Sequence, residues 1–367
     1  MRVKYSYLEE QFQDHDEIFR ALDELIKTGD YTLGNPVQEF EHGFAKLIGT
    51  KYAIGVNSGT DSLFLSLKAV GVGPGDEVIT TPNTFIATVG AIVATGAKPV
   101  FVDVLEDYTI NPELIKKAIT TRTKALMPVH YAGHPAAMPE IMAIAKNNGI
   151  SVVEDACQAI TATIDNKCVG TFGITGGFSL HPLKNLNVWG DGGVVVTDSE
   201  EIRNRLTLLR NHGLKNRDEV EIFGYNSRLD SLHAVVGNYL IKKIDEITET
   251  RIKWAQKYDR ELSELKNFIT IPERQSHKKR SVFHLYMIMV KKRDKLLSYL
   301  TANGIEAKIH YPIPLHLQRA AANLEYKKGD FPVTESQCNS ILSLPVHQHL
   351  SEDQIDYVIE KIKDFYS

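Results

Sequence analysis

Three short segments of the chain carry side chains suited to one kind of cofactor chemistry. Lys184 follows a strand-like apolar segment and precedes the glycine-rich sequence 190–193. A lysine at a strand end can hold a cofactor aldehyde as a Schiff base. Asp155 ends another apolar segment, and residues 57–60 form a turn after a third. Pyridoxal phosphate requires an amine for its aldehyde, an anion for its ring nitrogen and amide donors for its phosphate, so the three segments together predict a site for it.

The turn that contains Ser58, Gly59 and Thr60 predicts a phosphate site. It follows a predicted strand and begins a predicted helix. Backbone N–H groups at the start of a helix bind anions, and the helix dipole adds to the attraction. An ordinary helix cap is the alternative for this turn taken alone. Ser179, which shares a segment with Lys184, is a second predicted phosphate ligand.

Three further side chains are predicted to contact the cofactor ring. Asp155 would keep a pyridine nitrogen protonated, which makes the ring an electron sink, although an aspartate at a strand end can also cap the next helix. Gln158 lies three residues later, so a helical turn would bring it to the same side, where it could donate to the ring oxygen. Phe85 follows a predicted strand and could stack on the ring, with core packing as the alternative.

The histidines raise the alternative of a metal site. His130 and His134 are four residues apart, but the glycine and the proline that flank His134 break any helix there. His347 and His349 alternate as on a strand. No H-E-x-x-H sequence and no cysteine at ligand spacing accompanies either pair. We therefore expect no catalytic metal.

The composition argues against several classes of partner. The chain has 367 residues, of which 43% are hydrophobic, and this is enough for a large core and for two domains. Its formal net charge is −4, so no basic excess predicts binding to nucleic acid or to an anionic membrane. Three unevenly spaced cysteines predict reduced thiols. With no signal-like or membrane-spanning apolar segment, we expect a soluble, cytoplasmic protein.

Strand-like and helical segments alternate from residue 51 onward. The predicted strands are at 52–56, 77–81, 99–104, 125–129, 150–153, 178–180 and 194–197, with helical spacing at 61–70, 85–94 and 141–145. Strands interleaved with helices predict an α/β fold, in which a mostly parallel sheet is flanked by helices. Such sheets bind ligands beyond the carboxyl ends of their strands, where the three cofactor segments fall.

The pattern changes near residue 230. A long helix is predicted over 232–265, followed by a strand over 282–290 and a closing helix over 351–365. We therefore predict a large domain, residues 1–240, and a smaller α+β domain, residues 241–367.

Nine motifs spread over nearly the whole chain carry a resemblance to a known family. They are GVNSGTDSL at 55–63, GPGDEVI at 73–79, PNTFIAT at 82–88, EDACQ at 154–158, KNL at 184–186, GDGG at 190–193, GYNSRLD at 224–230, HYPIPLH at 310–316 and LSLPVH at 342–347. With these motifs the chain resembles the DegT/DnrJ sugar-nucleotide aminotransferases. The resemblance implies a pyridoxal-phosphate enzyme of the aspartate-aminotransferase fold, fold type I.

The resemblance also implies a role for each matching residue. Lys184 matches the Schiff-base lysine that shuttles protons, and Asp155 matches the partner of the ring nitrogen. The remaining matches are Gln158 with the donor to the ring oxygen, Phe85 with the ring that stacks on the cofactor, and Gly59, Thr60 and Ser179 with the phosphate ligands. Asn226 matches an asparagine that reaches the phosphate of the neighbouring subunit, which implies a homodimer. His310, Tyr311 and His316 fall in the segment that borders the sugar nucleotide.

The activity implied is transfer of an amino group from L-glutamate to a nucleotide-linked ketosugar, with pyridoxamine phosphate as the intermediate form of the cofactor. The product would serve surface polysaccharide, lipopolysaccharide O-antigen or glycoside biosynthesis. Asp191, where other members have glutamate, predicts a 3-keto acceptor rather than a 4-keto one. Leu183 and the bulky segment 187–189 replace smaller residues of relatives, so the acceptor sugar is not fixed by the motifs.

Two other functions remain open from the sequence. One is a dehydratase of the same fold that uses pyridoxamine phosphate; in such enzymes a histidine replaces the lysine, so Lys184 favours transamination. The other is a non-catalytic regulator that binds pyridoxal phosphate. A regulator would be expected to carry an additional DNA-binding or partner domain, and the complete set of catalytic residues disfavours it.

Overall fold

A computed structural model describes residues 1–273 and 278–367 of the chain. The helices are α1 (Leu8–Gln11), α2 (Asp16–Thr28), α3 (Asn35–Ile48), α4 (Gly59–Ala69), α5 (Ile86–Ala94), α6 (Pro112–Ala118), α7 (Met138–Asn148), α8 (Glu200–Arg210), α9 (Ser231–Leu240), α10 (Ile244–Leu262), α11 (Arg293–Ala302), α12 (Pro332–Ser340) and α13 (Glu352–Tyr366). The strands are β1 (Tyr52–Val56), β2 (Glu77–Thr80), β3 (Lys98–Phe101), β4 (Thr123–Leu126), β5 (Ser151–Asp155), β6 (Thr163–Ile164), β7 (Lys167–Cys168), β8 (Thr175–Ser179), β9 (Gly193–Thr197), β10 (Ile269–Thr270), β11 (Lys279–Arg280), β12 (Tyr286–Val290) and β13 (Ile341–Leu344).

The main sheet has the strand order β1-β9-β8-β5-β4-β2-β3. The pairs β2–β3, β2–β4, β4–β5 and β5–β8 are parallel, whereas β9 is antiparallel to both β1 and β8. All residues of β2 and β9 are buried, as is typical of a sheet covered on both faces. This arrangement confirms the predicted α/β fold with a mostly parallel sheet.

Helix α3 shows how the sequence builds one covering layer. Val37, Phe40, Phe44 and Ile48 recur at a spacing of three or four residues and are buried, so they form one apolar face. Phe44 meets Phe178 of β8 edge to face, with ring centroids 5.2 Å apart. The helix ends where the next residue, a glycine, adopts the left-handed conformation that ends many helices.

A second, antiparallel sheet has the order β10-β12-β13 and lies in the carboxyl-terminal part of the chain. Its strands share an apolar core with α10, α11 and α13, in which Ile288, Leu342 and Ile355 are fully buried. A third small sheet has the order β11-β6-β7. The second sheet and its helices correspond to the predicted α+β unit, and the boundary at residue 240 stays a prediction.

Two predicted elements are shorter in the structure. The helix predicted over 232–265 is interrupted, because a 3-10 turn at Ile241–Lys243 separates α9 from α10 and another follows α10. The strand predicted over 282–290 begins only at Tyr286. Phe283 has a φ of 47°, and the Val282 N–H donates to the Gly133 carbonyl at 3.0 Å, so this segment leaves the sheet to cover a loop.

The amino-terminal segment packs on the carboxyl-terminal part of the chain. Val3 is fully buried and pairs as a parallel bridge with Ile305. The Tyr5 N–H donates to the Glu306 carboxylate at 3.0 Å. In the described residues, none of the helices combines the length and the apolar content needed to cross a membrane.

Candidate active site

A cavity of about 500 Å³ lies where β5 and β8 end, within the size range of small-molecule sites. It brings together most of the side chains that the sequence predicts for the site. Its walls include Ser58, Gly59, Thr60, Phe85, Asp155, Gln158, Ser179, Lys184, His310 and Tyr311. Segments far apart in the sequence therefore converge at the carboxyl edge of the sheet, as parallel sheets require.

Lys184 lies in the loop between β8 and β9, and hydrogen bonds hold the backbone of this residue on both sides. Its N–H donates to the His181 carbonyl at 2.8 Å, and the Tyr7 hydroxyl donates to its carbonyl at 2.9 Å. Burial lowers the pKa of Lys184, while Cys157 and Asp155 act in the opposite direction. A lower pKa leaves more of the amine neutral, which is the form that attacks a carbonyl.

Asp155 ends β5 and is 5% exposed. One carboxylate oxygen accepts from the Thr88 hydroxyl at 2.7 Å, and the other accepts from the Cys157 N–H at 3.1 Å. Hydrogen bonds of this kind stabilise the ionised carboxylate. Thr88 in turn is 2.8 Å from the Thr84 hydroxyl, so a short network orients the anion.

Gln158 is nearly buried and its amide has a defined orientation. The side-chain oxygen accepts from the Ala132 N–H at 2.7 Å. The amide nitrogen is therefore the group that remains to donate toward the cavity. This orientation fits the predicted role of Gln158 as a hydrogen-bond donor to a ring oxygen.

At the start of α4, two glycines lie where any larger side chain would clash with a neighbouring element. The Ser58 hydroxyl caps the helix by accepting from the Asp61 N–H at 3.0 Å. A Cβ atom on Gly59 would lie 2.5 Å from the Cβ of Ser179, and one on Gly193 would lie 2.2 Å from the Ser58 carbonyl oxygen. Because glycines allow this approach, the first turn of α4, with Gly59 and Thr60 at the cavity wall, lies beside Ser179, and helix N-termini of this kind bind anions.

Phe85, Tyr311 and His310 form another part of the wall. The Phe85 side chain is half exposed, and its ring centroid is 5.9 Å from that of Tyr311. Burial lowers the pKa of His310 to about 4, aided by the charges of Lys184 and Lys308. His310 is therefore neutral near pH 7, and its Nδ1 is 2.9 Å from the Ser343 hydroxyl.

Two predicted site residues do not line the cavity. The His316 side chain is buried against Phe331, with ring centroids 4.7 Å apart, and its Nε2 is 3.1 Å from a Glu335 oxygen. Asn226 is exposed and pairs with Asn211 as an isolated antiparallel bridge.

The cavity also contains residues that the sequence analysis missed. They include Thr88, Tyr5, Tyr7, Arg251 and His284, and His347, considered above only as a metal ligand, lies there too. Arg251 could have been recognised from the sequence, because its position falls on the face of α10 that includes the buried Ile247 and Trp254. A charged residue on a buried stripe is unusual and marks a paired or functional group. Tyr5 and Tyr7 have no local signal, since long-range packing of the amino-terminal segment brings them to the site.

The histidines considered as metal ligands have other partners. His130 Nδ1 accepts from the Ala136 N–H, so its Nε2–H donates to the buried Glu154 carboxylate at 3.0 Å. His134 Nδ1 is 2.7 Å from the Ser281 hydroxyl. Over residues 1–273 and 278–367, no group of three or more His, Cys, Asp or Glu side chains is arranged to hold a metal ion.

The donor set of the cavity fits pyridoxal phosphate. Lys184 offers an amine of lowered pKa, and Asp155 offers an anion held by two hydrogen bonds. The start of α4, where a Cβ on Gly59 would clash with Ser179, offers a phosphate site.

Comparison with known proteins agrees with this geometry. A profile described as the DegT/DnrJ/EryC1/StrS aminotransferase family matches residues 13–363. The chain is 42% identical over 368 residues to a pleiotropic regulatory protein of Geobacillus stearothermophilus, covering 100% of this chain and 99% of that protein. It is 40% identical over 367 residues to the dTDP-3-amino-3,4,6-trideoxy-alpha-D-glucose transaminase of Streptomyces venezuelae, covering 99% and 94%.

Solved structures are similar over the same length. The structure of S. venezuelae DesV in complex with a ketimine intermediate superposes with a TM-score of 0.96 at 39% identity and covers 99% of this chain and 98% of that one. The structure of Bacillus subtilis NtdA with the bound cofactor PMP gives a TM-score of 0.92 at 30% identity, covering 99% and 85%.

Proposed function

The chain belongs to the DegT/DnrJ/EryC1/StrS aminotransferase family and is a pyridoxal-phosphate-dependent aminotransferase, and from this premise we propose that it transfers an amino group from L-glutamate to a nucleotide-linked 3-ketosugar. The observation that carries the proposal is the single cavity in which Lys184, Asp155 and the start of α4 converge. Support for the acceptor comes from the S. venezuelae transaminase at 40% identity, whose name places the amino group at C3 of a dTDP-sugar.

Different residues around the cavity hold the ring and the phosphate of the cofactor in this proposal. Pyridoxal phosphate, when bound, supplies an electron sink for the charge that develops on a carbon next to the amino nitrogen. Asp155 would pair with the ring nitrogen, and the Thr88 hydroxyl orients this carboxylate by donating to it. Gln158 donates to the ring oxygen, and Phe85 covers a ring face. The first turn of α4 and Ser179 bind the phosphate.

Lys184 is the proposed catalytic residue. Its amine would hold the cofactor through the cofactor aldehyde. When its amine is free, Lys184 would accept a proton from the α-carbon of the amino donor. The pKa of Lys184, lowered by burial, favours this step because a neutral amine can accept the proton.

His310 and Tyr311 are proposed to border the sugar. Since the pKa of His310 is about 4, its ring is neutral and can form hydrogen bonds to sugar hydroxyls without a charge. Burial raises the pKa of Tyr311, so its hydroxyl stays protonated. His316 is left out of this proposal because its ring contacts Glu335 and Phe331 outside the cavity.

The test combines a spectrum with turnover of two acceptors. We expect the cofactor-loaded protein to absorb at visible wavelengths and L-glutamate to convert this band to a near-ultraviolet one. Adding a 3-keto nucleotide sugar should restore the band and yield the aminosugar. Lys184→Ala should abolish turnover, whereas Lys117→Ala, at an exposed position of α6 that does not line the cavity, should turn over normally. Activity on a 4-keto sugar alone would contradict the C3 proposal, and a spectrum unchanged by glutamate would contradict the donor.

A further inference from the structure

Arg251 is a cation buried in the wall of the cavity. It is 2% exposed and lies on α10. Its Nε donates to the Gln348 side-chain oxygen at 3.1 Å, and its Nη1 donates to the Phe283 carbonyl at 3.2 Å. Within residues 1–273 and 278–367, its buried Nη2 has no hydrogen-bond partner.

The charge of Arg251 also lacks a counter-ion in the described part of the chain. Burial lowers the pKa of Arg251, and the groups there that act in the opposite direction are the hydroxyls of Tyr7 and Tyr5, with no carboxylate among them. An arginine stays protonated in proteins, and a buried charge is stable only when it is paired and hydrogen-bonded. The arrangement is therefore complete only when an anion joins it.

Arg251 faces the same space as the reactive amine. The Tyr7 ring lies 5.1 Å from the guanidinium carbon, and the Tyr7 hydroxyl donates to the Lys184 carbonyl. His284 lies on the same wall, and its buried Nδ1 also has no partner among the described residues. Lys184, Arg251 and His284 all line this cavity. An anion bound by Arg251 would thus lie within the reach of Lys184.

We propose that Arg251 binds a carboxylate of the amino donor, with His284 as a second hydrogen-bonding partner. The planar guanidinium matches a carboxylate in shape and donor spacing. The phosphate of the cofactor is assigned to α4, in a different part of the cavity. The diphosphate of a nucleotide sugar fits Arg251 less well, because a nucleotide must extend out of the cavity while Arg251 lies in its buried wall. This inference rests on the proposed function, which supplies the donor.

The probe is glutarate, a dicarboxylate that has no amine and cannot react. We expect Arg251→Gln to weaken glutarate binding, measured by calorimetry on the cofactor-loaded protein, by about 10- to 100-fold, as for loss of a charged hydrogen bond. The glutamate concentration that half-saturates the spectral change should rise by a similar factor. The reaction of the pyridoxamine-phosphate form with the ketosugar should change far less. Arg251→Lys keeps the cation but loses the planar pair of donors, so it should give an intermediate loss.

Arg293→Gln is the matched control. Arg293 donates to the Cys338 carbonyl at 2.7 Å and does not line the cavity, so its loss should leave glutarate binding unchanged. Wild-type affinity for glutarate and glutamate in a folded Arg251→Gln variant would overturn the inference. If that variant does not fold, unchanged binding in Arg251→Lys would overturn it instead. A loss confined to the ketosugar reaction would assign Arg251 to the diphosphate and overturn it also.

The same experiment separates the inference from the proposed function. Arg251-dependent binding of glutarate by a wild-type protein that aminates no 3-ketosugar would contradict the proposed acceptor and support the carboxylate site. Normal amination of the 3-ketosugar by wild-type protein, with binding of glutarate and glutamate independent of Arg251, would support the function and contradict the carboxylate site.

Discussion

Burial shifts the pKa of several residues in the cavity, and each shift favours the protonation state that the proposed role of the residue requires. It lowers the pKa of Lys184 and His310, which makes both more neutral, and raises the pKa of Tyr311. Asp155 is instead held in place by two hydrogen bonds, one to each oxygen of its carboxylate. The cavity therefore combines an amine of lowered pKa with a carboxylate whose orientation is fixed, as the proposed roles of Lys184 and Asp155 require.

His310 predicts a pH dependence of stability. Its pKa is about 4 in the folded chain against an ordinary value of 6.5, so the unfolded chain takes up a proton first as the pH falls. The stability that this histidine provides above pH 6.5 is then lost toward pH 4. Between pH 7 and pH 5 we expect the free energy of unfolding to fall by about 1 to 2 kcal/mol more in the wild type than in His310→Gln.

Urea unfolding at the two pH values measures this difference. His15→Gln replaces an exposed histidine and should keep the wild-type pH dependence. Equal pH dependence in His310→Gln and the wild type would show that His310 does not contribute.

For single residues, the sequence supports a prediction where the residue follows or ends a recognisable apolar segment. Lys184, Asp155 and Ser179 could be predicted because each follows or ends an apolar strand, and the structure places all three at the cavity. Thr88 could not be assigned to Asp155, since 67 residues separate the two partners of that hydrogen bond. His316 was predicted from a motif, but its contacts with Glu335 depend on packing that the motif does not contain.

At the scale of elements, the site depends on how closely α4 approaches the main sheet. Gly193 of β9 lies against the Ser58 carbonyl, and Gly59 lies against Ser179 at the end of β8. Hydrogen in place of a side chain at these two positions lets the start of the helix reach the strand ends. The proposed phosphate site is therefore a property of the contact between α4 and the main sheet.

Gly59→Ala tests this contact. The new Cβ would lie 2.5 Å from the Ser179 Cβ and 3.1 Å from its Cα, so the helix must move away from the strand. We expect a loss of about 1 to 3 kcal/mol in stability, as for overpacking, together with weaker cofactor binding. Thermal unfolding of the cofactor-free protein and titration with pyridoxal phosphate measure the two effects.

Gly73→Ala is the control for Gly59→Ala, because its Cβ would meet nothing within 4 Å. Adding Ser179→Gly to Gly59→Ala should restore stability by removing the clash. A Gly59→Ala protein as stable as Gly73→Ala would show that the contact is not tight.

The sequence predicted the central elements better than the later ones. The strands that end at Asp155 and Ser179 lie in a fully covered sheet, where apolar segments are clear. The interruption between α9 and α10 was missed because residues 241–243 keep helical composition while their hydrogen bonds tighten to a 3-10 turn. The strand predicted over 282–290 was too long, since tertiary contact with Gly133 takes Val282 out of the sheet.

At the scale of the whole molecule, the homodimer stays a prediction that Asn226 can test. Asn226 is exposed, and Phe223 close to it is 98% exposed, so this segment is accessible to a second copy. We propose that Asn226 reaches the phosphate site of the neighbouring subunit. Asn226→Ala should then weaken cofactor binding by about 10-fold, as for loss of one hydrogen bond to a charged group.

Mixed dimers test whether Asn226 acts in the site of its own chain or in the site of the neighbouring chain. A dimer of one Lys184→Ala chain and one Asn226→Ala chain would contain one site with both Lys184 and the Asn226 of the other copy. We expect it to recover about half of the wild-type activity at limiting cofactor, with affinity tags used to isolate it. Activity no greater than half that of the Asn226→Ala dimer would place Asn226 in its own chain's site.

Because Val3 pairs with Ile305, the segment 3–7 can reach its native place during synthesis only after Ile305 has been made. The segment 3–7 leaves the ribosome about 300 residues before its partner, which at 5 to 20 residues per second is roughly 15 to 60 seconds. Tyr5 and Tyr7 belong to this segment and form part of the cavity wall. The segment 3–7 is thus made long before it can reach its native place, and the nascent chain cannot complete this wall of the cavity until Ile305 has been made.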